Sequence, residues 1–450
     1  MNEQVVSPLS QPDMTPLPDG AAARAVGIDA TMQAKLTARP LRILLPSYRS
    51  HPHTGGQGVY IRHLSKSLVD LGHHVDVISG PPYPELDPRV GLIKLPSLDL
   101  YAQPKPLLGF PRAQWGSAVN WIEYLSFASG GFPEPLTFGR RLVDYLRQTR
   151  ASYDIIHDNQ TLCTGLLELR DMGYRVISTI HHPITKDRAL AIAAQKNPWY
   201  KFLVWRWHLF LNMQQRVARA LDDIVVVSQS TYRDLIDEFG LRPAQMEVIL
   251  EGIETEKFHP LSDVARKPNR LMATASADVA LKGLVYLIRA YARLLPEFPD
   301  LELVVVGSLR KGPTDDLLQQ LGIKDRVRFV SGITDADINK LYAEATVAVS
   351  PSLYEGFGFP AGEAMAAGVP LVATTGGALP EVVGEAGVLV PPGDAEALAD
   401  GIAALLRDPA RRAHLSEAGR ARVLREFQWS RVGMELTQYY YARMDRHADN

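Results

Sequence analysis

Two glutamates eight residues apart, Glu355 and Glu363, flank the stretch Gly356-Phe357-Gly358-Phe359-Pro360. Pro360 suits the first position of a helix, so Glu355 falls in a glycine-rich loop and Glu363 within the first helical turns. Such a helix start offers free backbone N–H groups and the positive end of a dipole, which suits a diphosphate. A carboxylate on either side can accept hydrogen bonds from sugar hydroxyls. A second loop, Thr375-Gly376-Gly377-Ala378, again leads from a strand into a helix and offers further donors. Lys282, in Ala280-Leu281-Lys282-Gly283, supplies a cation for the same anion. Gly55-Gly56-Gln57-Gly58 lets a backbone approach a phosphate or an acceptor closely. His181, in Thr179-Ile180-His181-His182, ends a strand and can hold a polar group near a reacting centre. Each feature also has a plain structural reading: a capped helix start, a flexible turn, a solvated lysine, a core histidine. A lone glycine-rich loop is weak evidence.

The elements that must carry these residues follow a steady rhythm. Apolar runs at 41–48, 74–80, 153–158, 174–182 and 222–228 read as strands, separated by helical patterns. After residue 250 the rhythm restarts, with strands at 271–276, 301–307, 327–332, 345–352, 369–375 and 387–392. Strand, helix and strand on this spacing make parallel βαβ units. The expected fold is α/β: two Rossmann-like, doubly wound domains facing each other across a cleft. A disordered leader is expected at 1–39, the first domain at 40–250 and the second at 260–427. A last helix, within 428–450, is expected to pack back on the first domain. Ligands of such sheets bind outside the carboxyl ends of the strands, and the residues above end strands.

Two segments break the rhythm. Residues 100–138 are rich in Pro, Gly and aromatics and read as a long loop or a lid over an acceptor. The stretch Trp199 to Leu211 reads as one long helix with bulky residues on several faces, which favours burial. Its Trp, Lys and Arg content also fits a membrane-surface helix.

Composition narrows the classes. The chain has 450 residues, 46% hydrophobic and 22% charged, with a formal net charge of −2, which gives no reason to expect nucleic acid as a partner. The one cysteine, Cys163, excludes an internal disulfide and a cysteine-based zinc cluster. The first twenty residues lack the pattern of a signal peptide, and no apolar run is long enough to span a membrane. The expected compartment is the cytoplasm, with peripheral membrane contact through the N-terminal domain as an option. His51, His53, His73 and His74 read as surface residues, and His157 and Asp158 as ending a strand at the cleft.

Glu355-x7-Glu363 around GFGFP, with GVPLVAT, TGG and PEVV following in order, resembles the large retaining glycosyltransferase family four of the two-Rossmann B fold. The resemblance runs from the first strand to the last helix. It implies transfer of a sugar from a nucleotide diphosphate sugar, UDP-sugar favoured and GDP-mannose next, to a hydroxyl acceptor of a glycan, glycolipid or small glycoside. It implies that Glu355 contacts the donor sugar, Glu363 the ribose diol, and the Phe357–Phe359 backbone the sugar and phosphate. Lys282 matches the family's diphosphate cation, and His181 the histidine near the sugar O6 and the reacting centre. No cofactor and no metal are implied. Two departures stand out: Ala277 where the family carries Arg, and Glu251-Gly252-Ile253-Glu254 where an NGID-like stretch is usual. A sugar-nucleotide epimerase and an inactive donor-binding scaffold remain as alternatives. A pyridoxal-phosphate phosphorylase of the same fold class lacks a distinctive lysine context here.

Overall fold

The computed structural model describes Leu36 and residues 39–51, 56–108, 110–193, 195, 197–274 and 279–446. Gly55, His53, Ala277 and nearly all of the expected leader lie outside these. Leu36, inside the expected leader, is buried in the first domain's core.

Seven strands form the first sheet: β1 (Arg42–Ser47), β2 (His74–Ser79), β3 (Gly91–Lys94), β4 (Ile155–Asn159), β5 (Val176–Ile180), β6 (Ile224–Val226) and β7 (Met246–Val248). Their order is β3-β2-β1-β4-β5-β6-β7. The second sheet holds β8 (Arg270–Thr274), β9 (Glu302–Val306), β10 (Val327–Val330), β11 (Val347–Ser350), β12 (Leu371–Thr374) and β13 (Val388–Val390), in the order β10-β9-β8-β11-β12-β13. Neighbouring strands pair in parallel, for example Ile43 with Ile155 and Val347 with Leu271. The strand order therefore reverses between β1 and β4 in one sheet and between β8 and β11 in the other. These are the positions where doubly wound sheets take their ligands.

Alternation along the strands explains why helices cover both faces. Leu271 and Ala273 point into one core with Leu287, Ile288 and Ile402, while Met272 points into the other with Ala364 and Met365. In the first sheet Leu44 and Ile156 share a core with Leu142 and Leu166. Ile43, Leu45 and Ile155 face the opposite way, onto Tyr60, Ile61 and Leu64. Strands buried on both faces read as continuous apolar runs, which is why they were visible in the sequence.

The helix Trp429–Arg446 crosses back from the second sheet to the first. Its Val432, Leu436 and Tyr440 are buried in the core of the first sheet. Tyr440 meets His157 Nδ1 at 2.5 Å, and His157 Nε2 meets Thr179 Oγ1 at 2.6 Å. His157 thus pins the last helix to the first sheet and does not face the cleft. His73 also departs from its expected surface position. It is buried between the Leu41 N–H, which donates to its Nδ1 at 3.1 Å, and Thr437 Oγ1 at 3.0 Å from its Nε2. Burial pushes its imidazole down to about 4, so it stays neutral there.

The long aromatic helix is in fact two, Pro198–Trp207 and Phe210–Ala220. Trp207 and Phe210 pack on Phe132, but Trp199, Tyr200, Phe202 and Trp205 are exposed, Trp199 at 61%. The expectation of burial fails on this outer face: the turn at Ser129 and Gly130 meets the helix through Arg206 and Leu203, and the helix Thr185–Ala193 also lies against it, yet these four rings stay exposed. Residues 100–108 and 110–128 form three short 3-10 turns and the helix Ala118–Ala128, with Phe110 edge-on to Trp121 at 4.7 Å. Among the described residues no helix is long and apolar enough to cross a membrane.

Candidate active site

The loops leaving β8 and β11, the two strands at the reversal of the second sheet, bring Lys282 and Glu355 together. Lys282 closes a 3-10 turn, Ala280–Lys282, and its Nζ donates to Glu355 Oε1 at 2.7 Å. Ser352 Oγ donates to the same oxygen, also at 2.7 Å. Both Glu355 and Lys282 keep part of their side chains exposed.

Two glycines show why the Glu355 loop has its composition. A Cβ on Gly356 would stand 2.5 Å from the carbonyl oxygen of His181 in the other domain. The Gly356 carbonyl accepts from Ser228 Oγ at 2.8 Å, so the loop lies flush against the first domain. Gly377 has φ +64°, and a Cβ there would run into the Glu355 backbone. The next residue, Ala378, donates its N–H to the Glu355 carbonyl at 2.9 Å. Gly376 N–H is taken by Thr374 Oγ1 at 3.3 Å. The second glycine loop therefore buttresses Glu355 from below, and two of the N–H groups expected to face a ligand are spent inside the protein.

Beyond Gly358 the helix Phe359–Ala366 begins, with Pro360 in its first turn. Phe357 is buried against Phe427, so only its backbone can serve the loop. The Phe359 ring would meet a Cβ on Gly56 at 3.4 Å across the cleft. Gly56 and Gly58 belong to the first turn of the helix Gly56–Asp70, not to a loop before it. Glu363 accepts from the Tyr342 hydroxyl at 3.3 Å. Burial, and then repulsion by Glu254, push its carboxyl up to about 7.

His181 follows β5 and is 9% exposed. Both ring nitrogens face acceptor oxygens: Nδ1 lies 2.6 Å from Glu251 Oε1 and Nε2 lies 2.7 Å from Asn159 Oδ1. The Asn159 amide is oriented by donating through Nδ2 to the Gln57 carbonyl at 3.1 Å. A sugar hydroxyl reaches His181 only by taking the place of one of these partners. Its neighbour His182 instead faces Asp187 at 3.2 Å.

Several residues that shape the site carried no sequence signal. Glu381 of the second domain accepts from the backbone N–H groups of Gln229 and Ser230 in the first, both at 2.7 Å. The Tyr354 hydroxyl donates to Asp234 at 2.6 Å, and Lys186 sits 4.3 Å from the Tyr354 ring centre. These contacts hold the cleft shut around the Glu355 loop. Behind them, a cavity of about 780 Å³ opens beside the interdomain link, lined by Arg62, His63, Glu254, Lys257 and Trp429. Burial works against the Glu254 charge there, but His63, Lys257 and Arg62 hold its carboxyl down at about 2. Among the described residues no group of three His, Cys, Asp or Glu side chains is placed to hold a metal ion.

Comparison with known proteins agrees with this geometry. Residues 54–257 match the description Glycosyltransferase Family 4, and residues 261–422 match Glycosyl transferases group 1. The chain is 46% identical over 406 residues to the MMP alpha-(1->4)-mannosyltransferase of Mycolicibacterium hassiacum, covering 89% of this chain and 98% of that protein. It is 28% identical over 462 residues to the D-inositol 3-phosphate glycosyltransferase of Corynebacterium kroppenstedtii, covering 94% and 95%. Among solved structures, sucrose-phosphate synthase from Thermosynechococcus elongatus superposes with a TM-score of 0.68 at 26% identity, covering 90% of this chain and 99% of that one. The chain belongs to the family-four, group 1 glycosyltransferases of the two-Rossmann B fold.

Proposed function

We propose that this glycosyltransferase moves a hexosyl group from a nucleotide diphosphate sugar to a hydroxyl of a glycan acceptor, with retention at the anomeric carbon. One observation carries the reading. Lys282 and Glu355 meet at 2.7 Å beyond the two strands where the second sheet reverses, one helix start away from Glu363. A cation, two carboxylates and a helix N-terminus in that order match a diphosphate with a sugar on either side. The likeness to the Mycolicibacterium hassiacum mannosyltransferase makes GDP-mannose the first donor to test, ahead of the UDP-sugars that the sequence alone favours.

In this reading Lys282 and the positive end of the helix Phe359–Ala366 stabilise the departing diphosphate, while Glu355 holds the sugar and Glu363 the ribose; Pro360 has no N–H, and the Ala361 and Gly362 N–H groups are taken by the Gly358 carbonyl. The bond from C1 to the diphosphate oxygen breaks, and the acceptor oxygen bonds C1 on the same face. The acceptor proton passes to the leaving phosphate. Positioning and electrostatics are the protein's share of the work. No metal and no cofactor take part, so activity persists in chelator. The exposed face of Trp199, Tyr200, Phe202 and Trp205 supports peripheral membrane contact, tested by sedimentation with anionic vesicles.

The main test is thermal shift with GDP-mannose, UDP-glucose and ADP-glucose, followed by NMR of the product's anomeric proton. Stabilisation by one donor and a retained linkage are expected. An inverted linkage removes the mechanism, and epimer formation without transfer removes the function.

A further inference from the structure

We infer that Glu251 is the positioning residue for His181, deciding which imidazole nitrogen is offered to the cleft; its effect on turnover rests on the transferase reading above. Glu251 is 2% exposed and sits in the segment that follows β7, three residues before the Glu254 that binds Arg62 and His63. A carboxylate is a stronger acceptor than a neutral amide, so the 2.6 Å contact to Nδ1 is the tighter of the two that hold the ring. Glu251 thereby keeps a proton on Nδ1. With that proton on Nδ1, the bare Nε2 faces the acceptor oxygen Asn159 Oδ1 at 2.7 Å, lone pair to lone pair, so Nε2 is the nitrogen that gains by exchanging this neighbour for a donor hydroxyl.

The surroundings leave the ring little other choice. Tyr60 stands edge-on to it with centroids 4.7 Å apart, and the Tyr60 hydroxyl is tied to Thr179 at 3.0 Å. The His181 N–H donates to Gln160 Oε1 at 2.6 Å, and its carbonyl accepts from Thr231 Oγ1 at 2.9 Å, so the backbone cannot turn to compensate. Glu251, Tyr60 and His157 stand beside the imidazole, and of these Glu251 is a direct hydrogen-bond partner of the ring. An NGID-like stretch would put a neutral Asn at this position. The glutamate here turns a neutral contact into a charge-assisted one.

Two variants test this. Glu251→Gln keeps an acceptor for Nδ1 but removes the charge, whereas Glu251→Leu removes both. Nitrogen-15 NMR of the ring reads the outcome without any substrate. The wild type should show a proton fixed on Nδ1 in slow exchange, Glu251→Gln the same tautomer in faster exchange, and Glu251→Leu a shift to the Nε2–H tautomer, with Asn159 Oδ1 accepting. In transfer assays kcat should fall about tenfold in Glu251→Gln and a hundredfold or more in Glu251→Leu. Donor affinity should stay within threefold, because the diphosphate and ribose groups are on the other domain. A single unchanged tautomer in folded Glu251→Leu overturns the inference, as does an unchanged kcat in Glu251→Gln together with equal loss of affinity and turnover in Glu251→Leu. If the wild type turns over no sugar nucleotide at all, the transferase reading fails, and the NMR arm still decides the role of Glu251.

Discussion

Lys282 Nζ lies 2.7 Å from Glu355 Oε1, so the cation proposed for the diphosphate and the carboxylate proposed for the sugar hold each other across two loops of the second domain. The pair keeps each charge partnered in a partly buried cleft, where an isolated one is costly. On the proposed assignment a donor diphosphate competes with Glu355 for Lys282. The sugar hydroxyls then compensate Glu355 for the loss. Donor binding is then expected to exchange partners for both groups.

Removing Lys282 should therefore weaken nucleotide more than sugar. A hydrogen bond to a charged group contributes about 1.5–3 kcal/mol. Lys282→Met should raise the Kd for free nucleoside diphosphate about tenfold or more by calorimetry, while Glu355→Gln leaves that Kd within a few-fold and lowers kcat by about 10²–10³. Equal nucleotide affinity in Lys282→Met and the wild type would argue that the diphosphate lies elsewhere.

If Glu363 holds the ribose as proposed, donor binding should depend on pH. Its carboxyl is pushed up to about 7, so near neutrality the folded protein holds a substantial protonated fraction. A ribose diol donates to the ionised form, so donor affinity should strengthen as pH rises from 6 to 8. Stability runs the opposite way: a carboxyl raised above its unfolded value near 4.5 favours the folded state below that value and loses this contribution as pH rises through about 7. Glu363→Gln should bind donor at least tenfold more weakly with a flat pH profile, yet melt higher than the wild type at pH 8 with the gap closing toward pH 5. A variant that keeps the wild-type pH profile would transfer the ribose contact to another residue.

Glu381 should govern how tightly the cleft stays shut. Its carboxylate accepts from Gln229 N–H and Ser230 N–H, bonds that join residues of opposite domains. In Glu381→Ala both amides lose their acceptor, and hydrogen exchange at Gln229 and Ser230 should accelerate by an order of magnitude or more. Small-angle scattering should show a larger radius for the ligand-free variant. Unchanged exchange at those two amides would mean that Ser228 and Tyr354 hold the closure alone.

The inner strands were legible because their evidence is local, whereas the edge strands β3 and β7, short and only partly buried, were not anticipated. Met272 between Leu271 and Ala273 already marks a strand with two buried faces, and the loops after such strands are where Lys282 and Glu355 were sought. Partners far apart in the chain leave no periodic trace. His73 bonds to Thr437 across 364 positions, Gln229 to Glu381 across 152, and His181 to Glu251 across 70. Composition also misleads where it lacks a neighbour. Trp199 and Phe202 look like core residues, but among the described residues both stay largely exposed. The GGQG stretch reads as a loop, yet Gly56 and Gly58 open a helix, since glycine's low helix propensity is overridden by packing against His51 and Phe359.

His157 and Tyr440 supply the last test, of how the final helix is fastened. His157 is buried between Tyr440 and Thr179, and burial, then the neighbouring His181, lowers its imidazole to about 3. An unfolded chain takes up that proton near 6.5, so between about 6.5 and 3 the unfolded state binds more protons and the fold loses stability as the pH falls. Tyr440→Phe leaves a buried ring nitrogen without its partner and should cost about 1–3 kcal/mol at pH 7. His157→Gln should also be less stable at pH 7, but its stability should decline more gently than the wild type's between pH 6.5 and 5. Urea unfolding at pH 7, 6 and 5 for the three proteins measures both effects. Parallel pH slopes for His157→Gln and the wild type would show that the acid sensitivity comes from other groups, and a fully stable Tyr440→Phe would show that apolar packing of the last helix suffices without the His157 bond.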